Sequence, residues 1–125
     1  MARLIVVAEA TWGAIYLKPE SQSGKANVII AVSVTNADGV ALTGLSTGNF
    51  DVHFMPAPGY NPKFLQAFTI PVEEQVPGIY VLALAPPACP DVGERYLYSI
   101  SVTSKSKSAT DHGQAVTSFD LPAGV

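Results

Sequence analysis

The sequence predicts an all-β protein, an antiparallel β-sandwich of about seven to eight strands. Three observations predict it. Short segments rich in Val, Ile, Tyr and Phe recur at regular spacing, punctuated by Gly, Pro and Asn. No stretch carries a convincing helical period. The stretch from Gly78 to Thr103 holds two strand patterns in succession, each opened by a glycine.

In the second half of that stretch, Tyr96, Tyr98, Ile100 and Val102 alternate with Leu97, Ser99, Ser101 and Thr103. This predicts a strand with one face in a core and one largely wet. The first half is apolar on both faces, with Tyr80, Leu82 and Leu84 against Ile79, Val81, Ala83 and Ala85. It is expected in the middle of a sheet or at an interface.

The remaining elements follow in chain order. Residues 3–9 read as a first strand, apolar on both faces from Leu4 to Ala8. Residues 12–18 read as a second, with Trp12, Ala14 and Tyr16 against Gly13, Ile15 and Leu17, ended by Pro19 and a polar loop. Residues 26–35 place Val28, Ile30, Val32 and Val34 on one face, with Ile29 and Ala31 suggesting a middle buried twice. Asn36-Ala37-Asp38-Gly39 reads as a turn in which glycine supplies a positive φ. Gly44 to Asn49 reads as a loop with one helical turn. Residues 50–55 put Phe50, Val52 and Phe54 inward and Asp51, His53 and Met55 outward. The prolines of residues 56–62 argue against regular structure there. Residues 64–70 make a further strand, with Phe64, Gln66, Phe68 and Ile70 on one face. Glu73 to Pro77 reads as a turn. Asp111-His112-Gly113 reads as the turn into a last strand, 114–121, with Ala115, Thr117, Phe119 and Leu121 on one face.

The pattern Gly-x-Tyr, apolar alternation, proline, short loop, glycine and a second Tyr-rich strand resembles filamin repeats and bacterial invasin-type repeats. The stretch from Val34 to Leu45, followed by Asn49-Phe50, resembles the loop between two early strands of those repeats. The resemblance spans roughly residues 26–121 and implies an immunoglobulin-like β-sandwich. It implies little about function, because that fold hosts many unrelated functions. On this reading residues 1–125 are a single domain, with residues 1–24 as extra N-terminal strands and loop and 26–121 as the immunoglobulin-like core.

Composition narrows the function classes. Hydrophobic residues make up 48% of the chain and charged residues 14%, against a usual charged share of about 25%. A low charge density suggests apolar surface covered by a partner. Seven Lys and Arg against ten Asp and Glu, a net charge of −3, give no basic footprint for nucleic acid. The single cysteine, Cys89, excludes an intramolecular disulfide. The apolar run after Met1 is too short for a signal peptide, and no run approaches the ~18 residues of a membrane helix. The expected address is the cytoplasm, or a virion or particle assembled there, with no membrane association.

Candidate chemistry is sparse. Asp51 and His53 share a strand face, and a carboxylate beside an imidazole is half of an acid–base or metal arrangement. The plainer reading is a solvated strand face, because the other partners of a site are missing. His112 beside Asp111 has no recognised zinc spacing with His53 or Cys89. The carboxylates Asp38, Asp91, Glu73, Glu74 and Glu94 do not form a calcium loop. The nearest cation in sequence to Cys89 is Arg95, across a loop, so Cys89 reads as a small loop residue rather than a reactive thiol. Lys105 and Lys107 read as a solvated hairpin tip. No catalytic residue, metal or cofactor is expected.

The residues expected at an interaction surface are Trp12, Tyr16, Met55, Tyr60 and Phe64, since aromatics and Met are enriched at interface cores. The sequence therefore predicts a non-catalytic module for protein–protein interaction or structural assembly, with a homo-oligomer among the expectations. Small sandwich domains of this kind resemble components or decorations of phage-like particles. The rival expectation is an accessory module binding carbohydrate or a small molecule through Tyr60 and Trp12.

Overall fold

Period-two burial builds this protein. The computed structural model describes residues 3–12, 28–57, 65–66, 72–84, 95–105 and 110–120. They form β1 (Ile5–Trp12), β2 (Val28–Thr35), β3 (Phe50–Ala57), β4 (Leu65–Gln66), β5 (Glu73–Val76), β6 (Ile79–Ala83), β7 (Arg95–Lys105) and β8 (Thr110–Asp120). A 3-10 turn at Thr47–Asn49 is the one helical element among the described residues. The strands make two 4-stranded antiparallel sheets, ordered β1-β2-β6-β5 and β4-β3-β7-β8. No helix among the described residues is long and apolar enough to cross a membrane.

The alternating residues meet between the sheets. Val28, Ile30, Val32 and Val34 of β2 and Tyr80 and Leu82 of β6 are fully buried on one side. Val52 and Phe54 of β3, Tyr98, Ile100 and Val102 of β7 and Phe119 of β8 face them across one continuous core. Burying each such aliphatic side chain contributes roughly 1.5–3 kcal/mol. Aromatic contacts extend the core, with the Phe54 and Tyr96 rings stacked at 5.6 Å and the Phe50 and Tyr80 rings tilted at 5.1 Å.

The loop between β2 and β3 is tied down by polar groups. Asn36 Oδ1 accepts from the N–H groups of Asp38 and Val40, and Gly39 takes the positive φ of the expected turn. The Tyr80 hydroxyl donates to the Leu42 carbonyl at 2.7 Å and accepts from the Leu45 N–H at 3.1 Å. The Glu74 carboxylate accepts from the Gly44 and Gly78 N–H groups. Asn49 Nδ2 reaches the Thr103 carbonyl at 2.8 Å and joins the loop to β7.

Several elements differ from their sequence expectation. The first strand runs Ile5–Trp12, not 3–9, so Trp12 ends β1. Residues 13–18 lie outside the described residues. The doubly apolar patterns of β1 and β2 are not buried twice, because Ile5 and Val7 are exposed, Ala31 is exposed and Ile29 is half-buried. Pro56 and Ala57 belong to β3, opposite Tyr96 and Arg95. A proline is tolerated where one side of a strand lacks a neighbour, and among the described residues β4 pairs with His53 and Phe54 and none pairs with Pro56 on that side. Glu73–Val76 is an edge strand rather than a turn. It is exposed throughout, so no apolar period marks it, and the turn is confined to Pro77-Gly78, with Gly78 at φ +80°. Ser99 is buried rather than wet, and its Oγ accepts from Gln114 Nε2 at 2.8 Å.

The last strand begins at Thr110, so Asp111, His112 and Gly113 are strand residues, opposite Ser104, Thr103 and Val102. Gly113 serves close approach rather than a turn. A Cβ there would sit 2.6 Å from the Leu4 carbonyl oxygen and 2.7 Å from Val6 Cγ2. The missing side chain lets the start of β1 cross onto β8, where the Leu4 N–H donates to the His112 carbonyl.

Candidate interaction surface

The outward face of the β1-β2-β6-β5 sheet is built in rungs across four strands. One rung is Val7, Ser33, Ile79 and Val76, and the next is Glu9, Ala31, Val81 and Glu73. A third holds Thr11, Ile29 and Ala83. The middle of this face is apolar, and a carboxylate bounds it at each edge strand. Ile5 is 45% exposed, Val76 55% and Val7 60%. Exposed single hydrophobes are ordinary, but contiguous ones mark interaction sites.

The outward face of the other sheet is mixed, with more polar than apolar side chains. Its rungs are Asp51, Ser101 and Gln114, then His53, Ser99 and Val116, then Met55, Leu97 and Ser118. Arg95 and Asp120 form an exposed ion pair at 3.8 Å. Asp51 and His53 do point outward as expected. His112 pairs with Thr103 and His53 with Ser99, four positions apart on β7, which is about 13 Å of strand. No group of three His, Cys, Asp or Glu side chains able to hold a metal occurs among the described residues.

Of the residues expected at an interaction surface, Trp12 and Met55 stand near one end of the sandwich. Trp12 ends β1 opposite Val28, the first residue of β2, and Met55 lies half-buried near the end of β3, opposite Leu97. Tyr16, Tyr60 and Phe64 lie outside the described residues, as do Cys89 and Lys107.

At the opposite end an open cleft of about 460 Å³ lies between residues 43–49 and the end of β7. Thr43, Leu45, Asn49, Thr103, Ser104 and Lys105 line it. No aromatic ring lines this cleft, so it offers no stacking platform for a sugar. Part of its polar lining is already engaged, since Asn49 bonds Thr103 and the Gly44 N–H bonds Glu74.

Two charge features stand out. The Glu74 carboxyl is held below its ordinary pKa, chiefly by the Gly78 N–H and then by the Gly44 N–H. Burial pushes the Tyr80 phenol up, because the phenolate would lose its hydration. Both belong to the device that fixes the β2–β3 loop.

Comparison with protein families, with curated proteins and with solved structures found no match.

The apolar outward face was visible in sequence as strands with hydrophobic residues at consecutive positions. What the sequence could not show was that β1, β2 and β6 sit side by side. That neighbourhood turns separate residues into one surface.

Proposed function

We propose that the protein is an immunoglobulin-like β-sandwich module, non-catalytic, that binds protein or builds a structural assembly. Lettered in chain order with one extra strand, C′, after C, the strands give sheets A-B-E-D and C′-C-F-G. This order supports the immunoglobulin-like reading. The observation that carries the functional reading is the outward apolar face around Ala31, Ile79 and Val81, bounded by Glu9 and Glu73. A component of a phage-like particle, assembled in the cytoplasm, is one setting in which such a face is covered.

Binding assays with the assembly from the native source test this. Val7→Lys places a charge on an exposed position without entering the core. The reading expects loss of association with unchanged thermal stability. Unchanged association in both Val7→Lys and Val76→Lys would count against it.

A second reading, an accessory module for a carbohydrate or small molecule, draws on the polar cleft beside Lys105, which would hold such a ligand by hydrogen bonds alone, without ring stacking. Titration calorimetry against a glycan panel tests it. Heat of binding that disappears in Lys105→Ala would favour it over the first.

A further inference from the structure

The β1-β2-β6-β5 sheet offers little to strand addition at its edges. β1 lies along β8 on its outer side, with the Leu4 N–H bonded to the His112 carbonyl and Val6 packed above Gly113. β5 has 4 residues and a register shift after Glu74, the usual guards of an edge strand. A partner of this sheet therefore meets its outward face.

That face has a definite width, length and charge. Glu9 and Glu73 end one rung, with Ala31 and Val81 between them. Three strand spacings separate β1 from β5, which is about 14 Å. From Ile5 to Thr11 the face runs about 20 Å along the strands. Ala31 and Ser33 leave the middle of β2 with short side chains, between Val7 of β1 and Ile79 and Val81 of β6. The described rungs carry two carboxylates and no Lys, Arg or His. Arg3, the next described cation along β1, lies where the chain crosses to β8.

These features do not suit a second copy. The framed area is roughly 300 Å², whereas a stable interface takes about 800 Å² from each partner. A two-fold axis through the Ala31–Val81 rung also brings carboxylates together. Run across the strands, it sets Glu9 on Glu9 of the second copy; run along them, it sets Glu9 on Glu73 of the second copy. Like charges brought together at an interface are strongly unfavourable. An α-helix fits the frame, being about 10–12 Å across and spanning 20 Å with about 13 residues.

We propose that this face seats an amphipathic α-helix of another protein, laid along the strands, with an apolar stripe on Ala31, Ile79 and Val81 and Lys or Arg on both flanks. The inference rests on the reading of the protein as an interaction module and names the chemistry of the partner. The flanking cations meet Glu9 on one side and Glu73 on the other, while their apolar stems cover Val7 and Val76. The net charge of −3 steers a basic partner toward the protein.

Two synthetic peptides of about 14 residues test this. Both carry the same stripe of Leu and Ala at helical spacing, one flanked by Lys and the other by Glu. Binding to the full chain is followed by fluorescence anisotropy at low and at physiological salt. The Lys-flanked peptide binds about tenfold or more tighter than the Glu-flanked one, and its advantage shrinks as salt rises. In the double variant Glu9→Lys, Glu73→Lys the preference reverses. Both positions are exposed, so Tm stays near that of wild type. Should the double variant fail to fold, Glu9→Gln alone removes one pairing and narrows the preference. No binding of the Lys-flanked peptide, equal binding of both peptides, or a preference that these variants leave unchanged overturns the proposal. A molar mass by light scattering that doubles from 13.1 kDa with concentration, and stays at 13.1 kDa in Val7→Lys, gives the face to a second copy and overturns it too. Association with the native assembly that is lost in Val7→Lys, with no charge preference among the peptides, removes the basic helix and leaves the interaction reading standing.

Discussion

Replacing Tyr80 by Phe removes one hydroxyl and keeps the ring that packs on Phe50 at 5.1 Å. The hydroxyl makes two bonds, donating to Leu42 at 2.7 Å and accepting from Leu45 at 3.1 Å. Both leucines are half-buried, so water replaces these bonds only in part. At about 0.5–1 kcal/mol for each bond, the loss is about 1–2 kcal/mol. For a domain of this length about 4 °C of Tm corresponds to each kcal/mol, so Tm falls by about 4–8 °C. The assay is thermal and urea unfolding followed by circular dichroism, with m unchanged because the same surface is exposed. A second readout is alkaline. The folded phenol is raised above its ordinary 10.0, so its contribution is complete below pH 10.0 and is lost as pH rises through the folded value. The Phe variant lacks this alkaline loss. A Tm within about 1 °C of wild type, with an unchanged alkaline limb, would refute the reasoning that this hydroxyl holds the loop.

Three further outcomes are expected. Glu74 has a folded pKa below its ordinary 4.5, so its contribution is complete above that pH and is lost as pH falls through the folded value. Acid unfolding of Glu74→Gln should lack that part of the pH dependence, and an unaltered acid profile would contradict the assignment. Gly113→Ala places a Cβ against the Leu4 carbonyl and Val6, and the overpacking should cost about 1–3 kcal/mol in chemical unfolding. Gly78→Ala combines φ +80° with an approach of 2.8 Å to Ala41 Cβ, and at roughly 1–3 kcal/mol its loss should exceed that of Gly39→Ala, where a Cβ meets nothing within 4 Å.

The sequence carried the parts of the fold that obey a local rule. The inward rows Val28–Val34 and Tyr96–Val102 were legible because burial on one face leaves a period of two. The Asn36–Gly39 turn was legible because the side chain and glycine that form it are adjacent. Failures came where a neighbour decides. Glu73–Val76 is a strand because β6 offers it a ladder, and its own residues show no alternation. Gly113 looked like a turn glycine, yet β1 crossing above it accounts for it. Ile5 and Val7 read as part of a strand apolar on both faces, and the structure leaves their face open. Trp12 and Met55 lie on strands that end at one pole, whereas the apolar rungs emerge only when β1, β2 and β6 are aligned.

The central claim is that the open face of the β1-β2-β6-β5 sheet meets protein. Site-specific photo-crosslinking from Val7, in protein made in its native source, measures this directly. The probe at Val7 should give a discrete adduct of defined mass, with a second copy or a different protein, and that adduct should vanish in a Val76→Lys background. The same probe at exposed Asp38, in the β2–β3 turn, should give none. No adduct from Val7, or the same products from both positions, would contradict the account.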